Sequence, residues 1–250
     1  MSKTISVHSF RGGTGKSNTS ANLAYLCAVQ GLKVGVVDTD IQSPGIHVLF
    51  GMHEEDMGRS LNDYLWGKCA IEDTAYDVTA SLGELKGKVY LIPSSIKAGE
   101  IARVLREGYD VGLLNDGFEA LITNLKLDML IIDTHPGLNE ETLLSIAISD
   151  TLVLIMRPDQ QDYQGTSVTV EVARKLDVPQ MLLMVNKVPE NLMDAVKKNV
   201  ESTYNCEVAA VIPHSDDLMI LASSGIFSQK YPNHAVTKIY QQLANRILAD

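Results

Sequence analysis

Short apolar runs recur along the chain, each closed by a polar or turn-forming residue. They occupy residues 4–7, 33–38, 89–93, 128–133, 151–156, 180–185 and 208–212. Their positions are apolar without strict alternation, which predicts strands buried on both faces, as in a parallel sheet. Between them, helical spacing predicts helices over residues 17–30, 98–107, 111–126, 163–176 and 234–249. Leu23, Leu26 and Cys27 mark one face of the first, which Gly31 stops. Val168, Val172 and Leu176 mark the fourth, and Ile239, Leu243 and Ile247 the last. Residues 51–88 carry little pattern beyond short helices at 60–66 and 71–75. Trp66, the single tryptophan, is expected to serve helix packing. Strands alternating with helices, without repeats, predict an α/β fold. We expect a single doubly wound, mostly parallel sheet with helices on both faces, one domain over residues 1–250.

Composition narrows the class. Hydrophobic residues at 45% are enough for a large core, and 21% charged residues argue against general disorder. The net charge of -10 disfavours nucleoid DNA and anionic lipid as partners at long range. Lys197-Lys198 is the nearest thing to a basic block and reads as a solvated helix face. Cys27, Cys69 and Cys206 lie far apart, without C-x-x-C spacing, so neither a zinc site nor a disulfide framework is indicated. No signal-peptide pattern and no membrane-length apolar run is present, and a cytoplasmic protein is expected.

The chemistry concentrates after the first strand, at Phe10-Arg11-Gly12-Gly13-Thr14-Gly15-Lys16-Ser17-Asn18. Glycines here let the backbone turn tightly and aim successive N–H groups at an anion. The following helix adds its positive end. Lys16 is placed to reach a terminal phosphate and the Ser17 hydroxyl to ligate Mg²⁺. The strict phosphate-loop pattern requires glycine where this chain has Phe10. The stretch from Arg11 to Ser17 instead resembles the deviant Walker A motif of the ParA/MinD family of P-loop ATPases, with Arg11 at the place of that family's signature lysine.

The resemblance extends through the chain. The second strand ends in Asp38-Thr39-Asp40. It implies that Asp38 holds a magnesium-bound water and that Asp40 orients or activates the attacking water; Ile41 stands where relatives often have proline. The fourth strand ends in Asp133-Thr134-His135-Pro136-Gly137, like a Walker B carboxylate on the Mg²⁺ shell followed by a second switch loop. There the Gly137 N–H would sense a γ-phosphate, and His135 would have a loop role. Asn186-Lys187 after the sixth strand resembles the family's adenine contact; Pro189 stands where a guanine-binding pattern needs aspartate. Pro213, after the seventh, resembles a loop lying against the base.

Taken together, the resemblance implies Mg-ATP as ligand, a homodimer formed with ATP, and slow hydrolysis stimulated by a partner protein. Such a switch positions a cargo: a DNA region, a division component or another large assembly. Arg11 would act on the partner subunit's ATP, or else merely pair with a carboxylate at the rim. The chain ends at Asp250 without the basic amphipathic tail of MinD proteins, so no tight membrane binding is expected. The alternative class is a metabolic P-loop enzyme, a small-molecule kinase or an ATP-dependent ligase. The superfamily's iron–sulfur branch needs bridging cysteines, and the absence of C-x-x-C spacing argues against it.

Overall fold

A computed structural model describes residues 2–249. Its strands are β1 (Lys3–His8), β2 (Lys33–Asp38), β3 (Tyr76–Asp77), β4 (Lys88–Ile92), β5 (Met129–Asp133), β6 (Thr151–Met156), β7 (Gln180–Val188) and β8 (Val208–Pro213). Its α-helices are α1 (Lys16–Val29), α2 (Ile46–Leu49), α3 (Leu61–Leu65), α4 (Ala98–Glu107), α5 (Gly112–Leu125), α6 (Glu140–Ala147), α7 (Gln160–Lys175), α8 (Met193–Tyr204), α9 (Asp216–Leu221), α10 (Phe227–Lys230) and α11 (Ala235–Leu248). The strands form one sheet in the order β3-β4-β2-β5-β1-β6-β7-β8, parallel except for β3 against β4.

Alternate residues of the central strands feed opposite layers. Ile5, Val7, Val34, Val36, Met129, Ile131, Val153 and Ile155 pack beneath α1 and α11 with Leu23, Tyr240 and Leu243. On the other face, Leu130 and Ile132 meet Leu114, Phe118 and Leu121 of α5. Further along that face, Leu152, Leu154, Leu183 and Val185 meet Val170 and Ala173 of α7 and Val200 and Tyr204 of α8. The doubly wound, mostly parallel sheet expected from the pattern is therefore present.

Several details differ from the sequence reading, the unexpected helices α2, α6, α8, α9 and α10 among them. β3 adds a two-residue antiparallel edge where no strand was expected. The short helix expected at residues 71–75 is a 3-10 helix over Ile71–Thr74. α7 begins at Gln160, because Asp159 caps it by accepting from the N–H groups of Gln161 and Asp162 at 3.1 and 3.0 Å. Trp66 packs beside α4, with the Arg103 guanidinium 3.7 Å from its ring centroid.

β1 lies at the middle of the sheet, between β5 and β6. The chain builds outward from it in both directions, and the crevice at such a reversal lies at the carboxyl ends of the strands. The loops after β1, β2, β5, β7 and β8 all open on that rim.

Candidate functional site

The loop after β1 is a cradle. Gly15 caps α1 in the left-handed conformation, φ 103°. A Cβ there would come 2.6 Å from Asn186 Nδ2, so only glycine allows the approach. Gly13, at φ +75°, has open space where a side chain would stand. The buried Thr14 hydroxyl has no partner within the protein. A convergent set of backbone amides at a helix start, with space before it, fits a phosphate group. Phe10, the departure from the strict pattern, packs against α7: a Cβ on Gly165 would be 2.1 Å from its ring.

Lys16 opens α1 and is 8% exposed. Burial lowers its pKa, while Asp133, Asp40 and Asp38 oppose that shift. Asp38 and Asp133 sit opposite each other across the β2–β5 pair. Both are buried, and burial drives both pKa values up, Asp133 to about 6 and Asp38 well above the carboxylate range, each repelled by neighbouring carboxylates. Hydrogen bonds from the Ser17 and Ser20 hydroxyls and the Lys16 charge pull Asp133 back down. Ser20 Oγ donates to Asp133 Oδ1 at 2.9 Å. Asp38 accepts from the N–H groups of Asp40 and Gly45 at 3.0 and 3.1 Å. Among the described residues no cluster of three or more His, Cys, Asp or Glu side chains forms a metal cage. A hydroxyl and two carboxylates nevertheless fit Mg²⁺, which takes oxygen ligands and completes its shell with water and phosphate. A dication beside Asp38 and Asp133 would also relieve their mutual repulsion.

Asp40 lies beyond the end of β2 and turns to the loop after β5. His135 Nδ1 contacts Asp40 Oδ1 at 2.7 Å, and that bond holds the imidazole pKa up against its burial. Glu141, in the first turn of α6, is buried beside them and its pKa is raised, chiefly by burial. The Tyr109 hydroxyl donates to Glu141 Oε2. Neither Glu141 nor Tyr109 was singled out by the sequence.

Three of the expected contact residues have partners within the chain. The Gly137 N–H, expected to face a phosphate, donates to the Ser9 carbonyl at 3.1 Å, because the loop after β5 is pinned to the end of β1. Arg11 lies at the rim, its Nη1 3.6 Å from Asp162 and 3.8 Å from Asp159. Arg157 shares both carboxylates from the other side. Asn186 Nδ2 donates to the Thr14 carbonyl at 2.7 Å, and its Oδ1 accepts from the Lys187 N–H at 2.8 Å. One N–H and one lone pair of that amide are left for a base edge. Lys187 takes φ 60° and its ammonium donates to the Gly13 carbonyl at 3.1 Å, strapping β7 to the cradle.

Beside this strap lies a cavity of about 470 Å³ lined by residues including Asn18, Asn186, Lys187, Pro213, Leu218 and Met219. Its size and mixed lining suit a nucleoside. A Cβ on Gly12 would meet Pro136 Cγ at 4.0 Å.

Residues 2–181 match the family described as AAA domain. An uncharacterized ATP-binding protein of Methanocaldococcus jannaschii is 26% identical over 249 residues, covering 99% of this chain and 88% of its own. The flagellum site-determining protein YlxH of Helicobacter pylori is 25% identical over 256 residues, covering 99% and 82%. The septum site-determining protein MinD of Pyrococcus horikoshii, complexed with Mg-ADP, superposes with a TM-score of 0.81 at 22% identity, covering 100% of this chain and 98% of that one. The resemblance read from the sequence thus holds over the whole chain.

Proposed function

The chain belongs to the AAA-domain family, and from that premise we propose that it is a ParA/MinD-type ATPase. It binds Mg-ATP, pairs with a second copy of itself, and hydrolyses the nucleotide slowly until a partner protein stimulates it. The observation that carries the reading is Lys16. It is a nearly buried ammonium at the start of α1, its charge balanced by Asp133, Asp40 and Asp38.

In this reading the amides of residues 12–16 and the Lys16 ammonium hold the phosphates. Ser17, Asp38 and Asp133 hold the Mg²⁺ shell, with Asp38 acting through a bound water. Bound there, the ion supplies positive charge that offsets the charge on the transferring phosphoryl group. Asp40 orients the attacking water. Asn18, Asn186, Lys187 and Pro213 line the nucleoside cavity, and Asn186 offers its remaining amide capacity to adenine. Gly137 exchanges its bond to Ser9 for a phosphate oxygen. Arg11 leaves Asp159 and Asp162 and reaches the partner subunit's phosphates, where its planar fork suits a bidentate contact. Similarity to proteins named for determining septum and flagellum sites supports a positioning task for the switch.

Calorimetric titration tests the binding half. ATP should bind with Mg²⁺ present and GTP much more weakly. Lys16→Ala should weaken ATP by about 10- to 100-fold, the worth of a charge-assisted contact. Unchanged affinity in that variant would remove the phosphate-loop assignment.

A further inference from the structure

His135 reaches from the loop after β5 to the loop after β2, where it meets Asp40 Oδ1 at 2.7 Å. A carboxylate only accepts, so the imidazole Nδ1 carries the proton and donates it. Asp40 Oδ1 also accepts from the Ser43 N–H at 3.1 Å. Both bonds fall on the same oxygen, which leaves Oδ2 as the one to accept from a water. The side chains of Asp40 and His135 are 16% and 22% exposed, so their bond is largely screened from competing solvent.

The arm carrying the imidazole is anchored at Thr134. The Thr134 N–H and hydroxyl donate to the Val7 carbonyl at 3.3 and 3.0 Å, and the buried His8 Nδ1–H donates to the Thr134 hydroxyl at 2.7 Å. His135 is therefore mounted on the end of β1, the strand that feeds the phosphate cradle.

We propose that His135 is a positioning residue for hydrolysis: it occupies Asp40 Oδ1, fixes that carboxylate with Oδ2 turned toward the attacking water, and ties this orientation to the end of β1. The inference rests on the reading of Asp40 as the water-orienting group. Without the imidazole, the carboxylate rotates about its last torsion, which is soft, and the aligned fraction falls. Misplacing a water-orienting group slows the chemical step without weakening substrate binding.

Steady-state ATP hydrolysis by five variants, with affinity for a non-hydrolysable ATP analogue measured in parallel, tests it. His135→Ala should lower kcat by about 10- to 100-fold, with KM and analogue affinity unchanged. His135→Asn should recover most of the rate, because the asparagine Nδ2 is attached to Cγ as the imidazole Nδ1 is. His135→Gln, whose amide stands one carbon further out, should not. Adding His135→Ala to Asp40→Asn should slow that variant no further. If Asp40→Asn is slow while His135→Ala stays within about twofold of the parent, the positioning role is wrong and the Asp40 reading stands. If Asp40→Asn hydrolyses at the parental rate, the Asp40 reading fails and the inference with it. Fully additive losses, or a raised KM with kcat unchanged, also overturn the role. Should His135→Ala not fold, equal rates for the Asn and Gln variants overturn it.

Discussion

Asp133→Asn should make the nucleotide-free protein more stable at neutral pH. Asp133 and Asp38 face each other in the sheet, and the Asp133 pKa is pushed from its ordinary 3.8 to about 6. A carboxylate whose pKa is higher folded than unfolded binds more protons in the native state. Its stabilising contribution is present below the unfolded pKa and is lost as pH rises toward the folded one. At about 1.4 kcal/mol for each pKa step, ionised Asp133 costs the folded chain about 3 kcal/mol above pH 6. Asparagine removes that charge and keeps an oxygen to accept the Ser20 hydroxyl. For a chain of this length the gain corresponds to a rise in Tm of about 6–12 °C. Thermal unfolding from pH 4 to pH 8 is the assay. Parent and variant should converge near pH 4 and separate progressively to pH 6. The variant should at the same time lose the Mg²⁺-dependent increment in nucleotide affinity. An Asp133→Asn protein that melts below the parent at pH 8, or that keeps the parental pH dependence between 4 and 6, refutes the reasoning.

Other substitutions probe separate links. Gly165→Ala drives a Cβ to 2.1 Å from the Phe10 ring and should destabilise by about 1–3 kcal/mol, read by denaturant midpoint; an unchanged midpoint would mean that Phe10 does not pack on α7 as described. Arg11→Ala removes a partly exposed rim pair and should leave monomer stability within about 0.5 kcal/mol and ATP binding intact, while pairing and hydrolysis are lost; retained hydrolysis would return Arg11 to a rim role. Burial and the charge of Lys16 push the His8 imidazole down to about 3, so charging it opposes folding; the His8 contribution to stability is complete above pH 6.5 and is lost progressively below, and His8→Gln should flatten that acid slope.

The central strands and the phosphate loop were legible because they are local: an apolar run, glycines and a lysine at fixed offsets. α8 carried its own signal in Val196, Val200 and Tyr204, spaced four apart and packed on the sheet, although no helix was read there. α6 lacked one. Its inward face is mostly polar, with Glu141, Thr142 and Ser145 beside a single buried Ile146 and the Ser6 hydroxyl donating to the Ser145 carbonyl at 2.8 Å, so no apolar period marks it. Asp38 and Asp40 show where extrapolation along a strand stops. Two residues apart in extended chain they would share a face. β2 ends at Asp38, and the next turn sends Asp40 to His135 while its N–H closes on Asp38 Oδ1. The grouping of Asp40, His135, Glu141 and Tyr109 joins loops separated by up to a hundred positions. Only the order of the parallel strands brings them to one rim, and residue spacing alone does not contain that order.

The account turns on nucleotide-driven pairing, and one measurement reaches it directly. Sedimentation velocity of Asp40→Ala, in Mg-ATP and again in Mg-ADP, separates the states. The account predicts a species of twice the 27.3 kDa chain mass in Mg-ATP and a monomer in Mg-ADP. A monomer under both conditions, or a dimer indifferent to nucleotide, would contradict it.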